Sequence, residues 1–219
     1  MSACRAGPGR NPSAGELHPA STSLPVNADV ESGFAADPQG VAESVRLAIE
    51  TGVAGLSIED ATGDAANPLH DIDTAVARLR AAREAIDQSG TDTLLVGRAE
   101  NFFVGRPDLA DTLTRLRAYA RAGADVLYAP GSRTREESAA VVAAVAPTPV
   151  NLLVGSAIDM TMQDIAALGV RRVSVGGALA RSAWGGFMRA ARTIAEQGRF
   201  DGFADAASGA ELNAFFRAP

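Results

Sequence analysis

The feature that most constrains this chain is a rhythm. A short β-branched run, a loop and an amphipathic Ala/Arg/Glu segment recur from Leu24 almost to the C-terminus. Strands are expected over residues 24–30, 53–58, 93–97, 125–128, 149–154 and 171–175, and helices over 37–51, 70–87, 107–122, 133–145, 161–168 and 179–197. The first helix carries its own punctuation: Asp37 as N-cap, Pro38 at the first helical position and Gly52 as the stop. Strands alternating with helices of these lengths imply βαβ units and a parallel sheet. The turns Thr51-Gly52-Val53-Ala54, Ala122-Gly123-Ala124-Asp125 and Leu168-Gly169-Val170-Arg171 repeat one pattern, a glycine where a helix C-cap needs a left-handed backbone. A ring of similar units would show this repetition, and so would an open doubly wound sheet.

Before Leu24 the texture is different. Residues 1–23 are rich in Gly, Pro, Ala and Ser with no apolar period, and are expected to form a loosely attached tail. Residues 24–219 are expected to form a single α/β domain. No apolar run approaches the roughly 18 residues of a membrane span, and the first 23 lack the apolar segment of a signal peptide, so the expected location is cytoplasmic. A net charge of −6 with scattered arginines argues against a nucleic-acid surface, although one local arginine can still bind a small anion.

The absences narrow the chemistry further. All 20 basic residues are arginine, which removes Schiff-base aldolase chemistry, pyridoxal phosphate attachment and the P-loop lysine together. The single cysteine, Cys4, lies in the tail, and the only histidines are His18 and His70. Thiolate metal sites and a histidine-rich zinc site are therefore out of reach. What remains is carboxylate, arginine, hydroxyl and amide chemistry, with a bound ion.

In a parallel α/β sheet the active groups lie at the carboxyl ends of the strands. Read in order, those ends offer Asp29 and Glu31; Glu59 and Asp60; Arg98, Glu100 and Asn101; Tyr128; Asn151; and Ser174 with Gly176-Gly177. Strand alternation would put Asp29 and Glu31 on one face, where like charges call for a cation or a proton. A strand end running into a solvated acidic turn is the other reading. Oxygen ligands of this kind suit Mg²⁺ or Mn²⁺, and an arginine beside them can dock a carboxylate. For Arg98 the competing expectation is an ion pair with Glu100 or Glu59. Residues 60–70 are long for a βα loop and form a candidate lid. The Gly176-Gly177 pair could bind phosphate through backbone N–H groups or simply permit a turn. Arg78, Arg80, Arg115, Arg117 and Arg121 are expected on solvated helix faces.

Taken together, three runs carry a resemblance: Leu24-Pro-Val-Asn-Ala-Asp-Val-Glu-Ser-Gly33, Gly55-Leu-Ser-Ile-Glu-Asp-Ala-Thr-Gly-Asp64 and Gly97-Arg-Ala-Glu-Asn-Phe102. The segments 122–131, 149–153 and 169–176 extend it in the right order. The chain resembles the isocitrate lyase / phosphoenolpyruvate mutase superfamily. That resemblance implies a TIM-type α/β barrel that binds Mg²⁺ and a small 2-oxo-acid or carboxylate, in a homo-oligomer (dimer or tetramer). It implies that Asp29, Glu31 and Glu59 hold the metal, largely through water. It further implies that Arg98 grips the substrate carboxylate with Glu100 beside it, that Asn151 lies near the substrate, and that the loop 61–69 closes over the site. The implied reaction makes or breaks a C–C or C–P bond next to a 2-oxo-acid through an enolate.

Two departures shape the expectation. The lyase branch has a Lys-x-Cys-Gly-His type motif in the gating loop, whereas this loop reads Thr62-Gly-Asp-Ala-Ala-Asn-Pro68. Weight therefore shifts to oxaloacetate-like or phosphonopyruvate-like substrates, with His70 or Asp64 as the proton relay. A 2-methylisocitrate lyase-like enzyme with a different acid/base is the alternative. Family members also carry about two further strand–helix units before the strand at Leu24, in keeping with the usual eight. Only six units are counted here, so an incomplete, N-terminally truncated barrel is expected, and a non-catalytic remnant or an assembly partner stands beside the enzyme reading.

Overall fold

A computed structural model describes residues 22–217. The expected tail, with Cys4 and His18, lies outside the described residues except for its last two positions. The described residues divide into two compact units, one up to residue 174 and one from residue 175 onward.

The first unit is built from six parallel strands in sequential order: β1 (Asn27–Asp29), β2 (Gly55–Glu59), β3 (Leu94–Arg98), β4 (Val126–Tyr128), β5 (Val150–Leu153) and β6 (Arg172–Ser174). Between them run α1 (Pro38–Glu50), α2 (Ile72–Ser89), α3 (Leu109–Arg121), α4 (Arg135–Val145) and α5 (Met162–Ala167). Sequential parallel order is what a barrel wall has, and the sheet curls as an incomplete α/β barrel. A doubly wound sheet would reverse its strand order at a switch point, and none occurs among the described residues.

The helices start where the sequence says they should. The carboxylates of Asp37, Asp71 and Asp108 and the hydroxyls of Thr134 and Thr161 each accept the backbone N–H three residues on, one of the unpaired donors in the first turn of the helix that follows. Strand β1 is shorter than the expected 24–30. Pro25 has no N–H to donate to a ladder, and Glu31 has already turned out of the strand with φ 49°.

The two faces of the sheet differ in kind. Leu56, Ile58, Leu95, Leu127 and Val150 point outward and pack with Val41, Val45, Leu79, Ile86, Leu116 and Val141 of the helices as one buried core. The alternate face carries the polar side chains toward the carboxyl edge, where the register aligns Glu59, Arg98, Tyr128, Asn151 and Arg172 as one row across five strands. Period-two alternation therefore separates the core from the candidate site.

Two arginines correct the sequence expectation. Arg78 and Arg115 are not on solvated faces: they are 1% and 8% exposed. The buried positions of α2 run 75, 78, 79, 82, 86, and those of α3 run 112, 115, 116, 118, 119, so both arginines fall on the inward helical stripe. Arg80, Arg117 and Arg121 are exposed, as expected.

The second unit contains α6 (Ala178–Gln197), a single 3₁₀ turn (Asp201–Phe203) and α7 (Gly209–Arg217). Gly202 lets the 3₁₀ turn lie against Ala190, where a Cβ would meet the Ala190 backbone at 2.9 Å. Among the described residues no helix is long and apolar enough to cross a membrane.

Candidate active site

The site assembles around Arg98 at the carboxyl end of β3. Its Nε donates to Glu100 Oε1 at 2.6 Å, and its Nη1 lies 3.0 Å from Asp29 Oδ2 and 3.2 Å from Glu59 Oε2. The guanidinium also sits over the Tyr128 ring, 5.2 Å from its centroid. Three neighbouring strands thus deliver three carboxylates to one cation. The expected ion pairing of Arg98 with Glu59 and Glu100 is present, and it does not exhaust the fork: Nη2 has no partner among the described residues.

The electrostatics follow from this crowding. Burial works against the Arg98 charge, but Glu100, Glu59 and Asp29 outweigh it and hold its pKa above the ordinary value. Burial pushes Glu59 up to about 7; Arg98 pulls it down, while Glu100, Asp29 and Glu31 push it further up. Glu100 is likewise raised, by burial first and against the pull of Arg98. The cluster holds more negative charge than Arg98 can balance.

That surplus has a testable consequence for stability. A carboxyl raised from 4.5 to about 7 on folding stabilises the fold below pH 4.5, and that contribution is lost as pH rises through 7. In chelator-treated protein, the thermal midpoint is expected to fall between about pH 5 and pH 8, and Glu59→Gln should flatten the fall. An unchanged slope in the variant would assign the pH dependence to other groups.

Glu31 is placed differently from the strand-alternation expectation. It does not share a strand face with Asp29, because the strand has ended and Glu31 occupies a left-handed turn. Its N–H donates to Asp29 Oδ1 at 3.2 Å, and its carbonyl accepts from Glu59 N at 2.9 Å. The turn is pinned from behind by Arg78, whose guanidinium donates to the carbonyls of Ser32, Ala35 (2.7 Å) and Ala36 (3.1 Å). Gly33, at φ 91°, lets the same turn press on Val41, where a Cβ would come within 2.7 Å.

Asn151 links the site to β6. Its Oδ1 accepts from Arg172 Nε at 2.9 Å and its Nδ2 donates to Ser174 Oγ at 3.0 Å. Because arginine can only donate, Arg172 fixes which way the Asn151 amide faces. Arg172 Nη1 also reaches Asn27 Oδ1 on β1 at 3.2 Å, from the last strand of the curled sheet to the first.

The loop residues are less involved. Asp64 serves its own loop, accepting from Ala66 N at 2.9 Å and Asn67 Nδ2 at 3.4 Å. His70 stands at the loop's end, and burial, then Arg78, lowers its pKa. The structure groups Asp29, Glu59, Arg98 and Glu100 at three neighbouring strand ends, sets Asp60 apart from them, and adds four residues that the strand ends do not announce: Arg78, Arg115, Tyr119 and Arg172. The helical stripes would have found the first three; Arg172 had no signal beyond its strand position.

Among the described residues no three acids or histidines converge closely enough to ligate a metal directly. The donor set is nonetheless all oxygen, and Asp29 and Glu31 add to the upward push that burial exerts on Glu59. Such a set fits a hydrated Mg²⁺ or Mn²⁺, which keeps several waters and takes few direct carboxylates.

A curled parallel α/β sheet with acids and an arginine on consecutive strand ends defines a barrel-type protein whose charged groups gather at the carboxyl edge of the sheet. The chain belongs to the phosphoenolpyruvate phosphomutase family, within the isocitrate lyase / phosphoenolpyruvate mutase superfamily: the family model matches residues 16–195. It is similar to the oxaloacetate decarboxylase of Bradyrhizobium sp. (strain ORS 278), with 32% identity over 158 residues, covering 69% of this chain and 51% of that protein. Among solved structures, a Burkholderia cenocepacia J2315 protein assigned only as a lyase/mutase is 48% identical, with a TM-score of 0.86 over 92% of this chain and 72% of that one. Oxaloacetate acetylhydrolase in complex with its product oxalate is 28% identical, with a TM-score of 0.71 over 87% of this chain and 66% of that one. The chain spans about half the length of the curated relatives it matches.

Proposed function

We propose that this chain supplies the metal-side and carboxylate-side residues of a Mg²⁺-dependent enzyme that makes or breaks a C–C or C–P bond beside a 2-oxo-acid. The observation that carries the reading is the Arg98 guanidinium set among Asp29, Glu59 and Glu100 at the carboxyl edge of three adjacent strands. Oxaloacetate-like and phosphonopyruvate-like acids are the substrates we favour, because the loop after β2 carries neither lysine nor cysteine.

In this reading Asp29, Glu31 and Glu59 hold Mg²⁺ (or Mn²⁺), largely through water. The ion, when bound, supplies positive charge for the enolate oxygen that bond cleavage leaves behind. Arg98 offers Nη2 to the substrate carboxylate, and Glu100 fixes the guanidinium plane through Nε. Tyr128, packed against Arg98, limits the water around that ion pair. Asn151, with Oδ1 taken by Arg172 and one Nδ2 hydrogen by Ser174, has a single N–H left to offer a bound anion. His70, its pKa lowered by burial, is the proton acceptor in this reading, and it stands at the foot of the loop that also carries Asp64.

A homo-oligomer is part of the same proposal. Trp184 and Phe187 of α6 are 54% and 62% exposed, which supports burial against a second copy.

Calorimetry with Mg²⁺ and then oxalate, an enolate mimic, tests the site. Oxalate is expected to bind only in the presence of Mg²⁺, and Glu59→Ala should abolish that binding. No oxalate binding by the wild-type protein at millimolar Mg²⁺ would instead favour a non-catalytic role.

A further inference from the structure

A second set of charged side chains lies behind the Arg98 cluster. It centres on Asp60, which is 1% exposed. Asp60 Oδ1 accepts from Glu100 N at 2.8 Å, while Oδ2 accepts from Arg115 Nη1 at 3.0 Å and from the Tyr119 hydroxyl at 2.6 Å. Its main chain is equally engaged: the N–H donates to Arg98 O at 3.3 Å, and the carbonyl accepts from His70 N at 2.9 Å. One aspartate therefore touches the main chain on both sides of Ala99 and the far end of its own loop.

Arg115 closes the circuit. The Nη1 that binds Asp60 also donates to His70 O at 2.8 Å, and Nε donates to Asp111 Oδ2 at 2.7 Å. A single guanidinium nitrogen thus holds both feet of the loop 61–69. Just above the feet, Ala61 and Leu69 form an antiparallel bridge, and Thr62 N donates to Pro68 O at 3.0 Å. The loop is a closed hairpin on a pinned base. Gly97 makes the pin possible: a Cβ there would meet those of Tyr119 and Ala124 at 3.1 Å, so its absence brings α3 close enough for Tyr119 to reach Asp60.

Buried ionic groups add little net stability compared with apolar packing of the same volume. This network instead spends its bonds on three points: the first foot of the loop, the second foot, and the peptide beside Arg98. We infer that Arg115 and Tyr119 are positioning residues. Acting through Asp60, they hold the base of loop 61–69 together and in register with Glu100, the carboxylate that orients Arg98. The inference rests on the reading of Arg98 as the group that grips a substrate carboxylate. Loop closure would then be a hinge motion about a fixed base, delivered to a fixed distance from Arg98.

Tyr119→Phe is the sharpest test, because it removes one hydroxyl and keeps the ring that fills the core. Three quantities are measured: the thermal midpoint, the affinity for oxalate at saturating Mg²⁺, and amide hydrogen exchange across residues 61–70 without oxalate. The midpoint is expected to move by only a few degrees and Mg²⁺ affinity to stay the same. Oxalate affinity should fall about threefold to tenfold, with clearly faster exchange in 61–70. Arg115→Lys, which keeps the charge and loses the fork, should show the same pattern more strongly. A lowered midpoint with unchanged exchange and unchanged oxalate affinity would overturn the inference and leave the network a matter of stability. If the wild-type protein binds no oxalate, the reading of Arg98 fails; faster exchange in Tyr119→Phe would still support the clamp, and unchanged exchange would overturn it too.

Discussion

Asp60→Ala is expected to destabilise the fold by about 3–5 kcal/mol, the range for removing one partner of a buried ion pair. The reason is what the substitution leaves behind. Arg115, 8% exposed, would keep its charge with only Asp111 to face, and the Tyr119 hydroxyl, with no exposure, would lose its acceptor. The N–H of Glu100 would be orphaned in the same place. For a chain of this size that loss corresponds to a midpoint lowered by roughly 10 °C or more. Urea unfolding of the variant measures it directly. Adding Arg115→Met should recover part of the loss, since the double variant no longer buries an unpaired charge. A loss below about 1 kcal/mol in the single variant would mean that water reaches the network and screens it.

Arg98→Lys is expected to cut kcat/KM on the substrate by tenfold or more, with little effect on Mg²⁺ binding. An ammonium keeps the charge but is a single point, whereas the guanidinium of Arg98 serves Glu100 through Nε and Asp29 and Glu59 through Nη1 while leaving Nη2 available. A lysine that satisfies the acids has no second edge to offer a carboxylate. The same variant should weaken oxalate binding by a similar factor, which can be measured before the substrate is known. Kinetics and oxalate affinity both unchanged would reduce Arg98 to a counter-ion for the acids.

Much of this architecture was legible in the residues themselves. Asp37-Pro38 and Gly52 mark α1 to within a residue of its ends, and the αβ glycines announce the repeating unit. The order of the strand ends predicts that Asp29, Glu59, Arg98 and Glu100 lie near one another, because parallel sheets gather their carboxyl ends, and the four side chains meet there. Two kinds of information were hidden. Charge misled where position should have ruled: Arg78 and Arg115 sit on buried helical stripes, yet arginine as a type is expected outside. Backbone geometry was invisible as well, since alternation assumes that the strand continues, and Glu31 lies just beyond where β1 stops. The division of labour at Glu59-Asp60 was also unreadable. Adjacent acids point to opposite sides of the sheet, one into the cluster and one into the helix layer, and the sequence does not say which.

The turn at Glu31 has a consequence for how this protein tolerates change. A left-handed backbone at φ 49° suits glycine or asparagine far better than glutamate. A substitution to glycine there would relax the turn at the expense of its carboxylate. Improvement of the scaffold and retention of the acid therefore pull position 31 in opposite directions. A library selected for thermal resistance alone should lose Glu31 early, while one selected for ligand binding should keep it. Position 31 is thus where selection for robustness and selection for use can be told apart in a single codon.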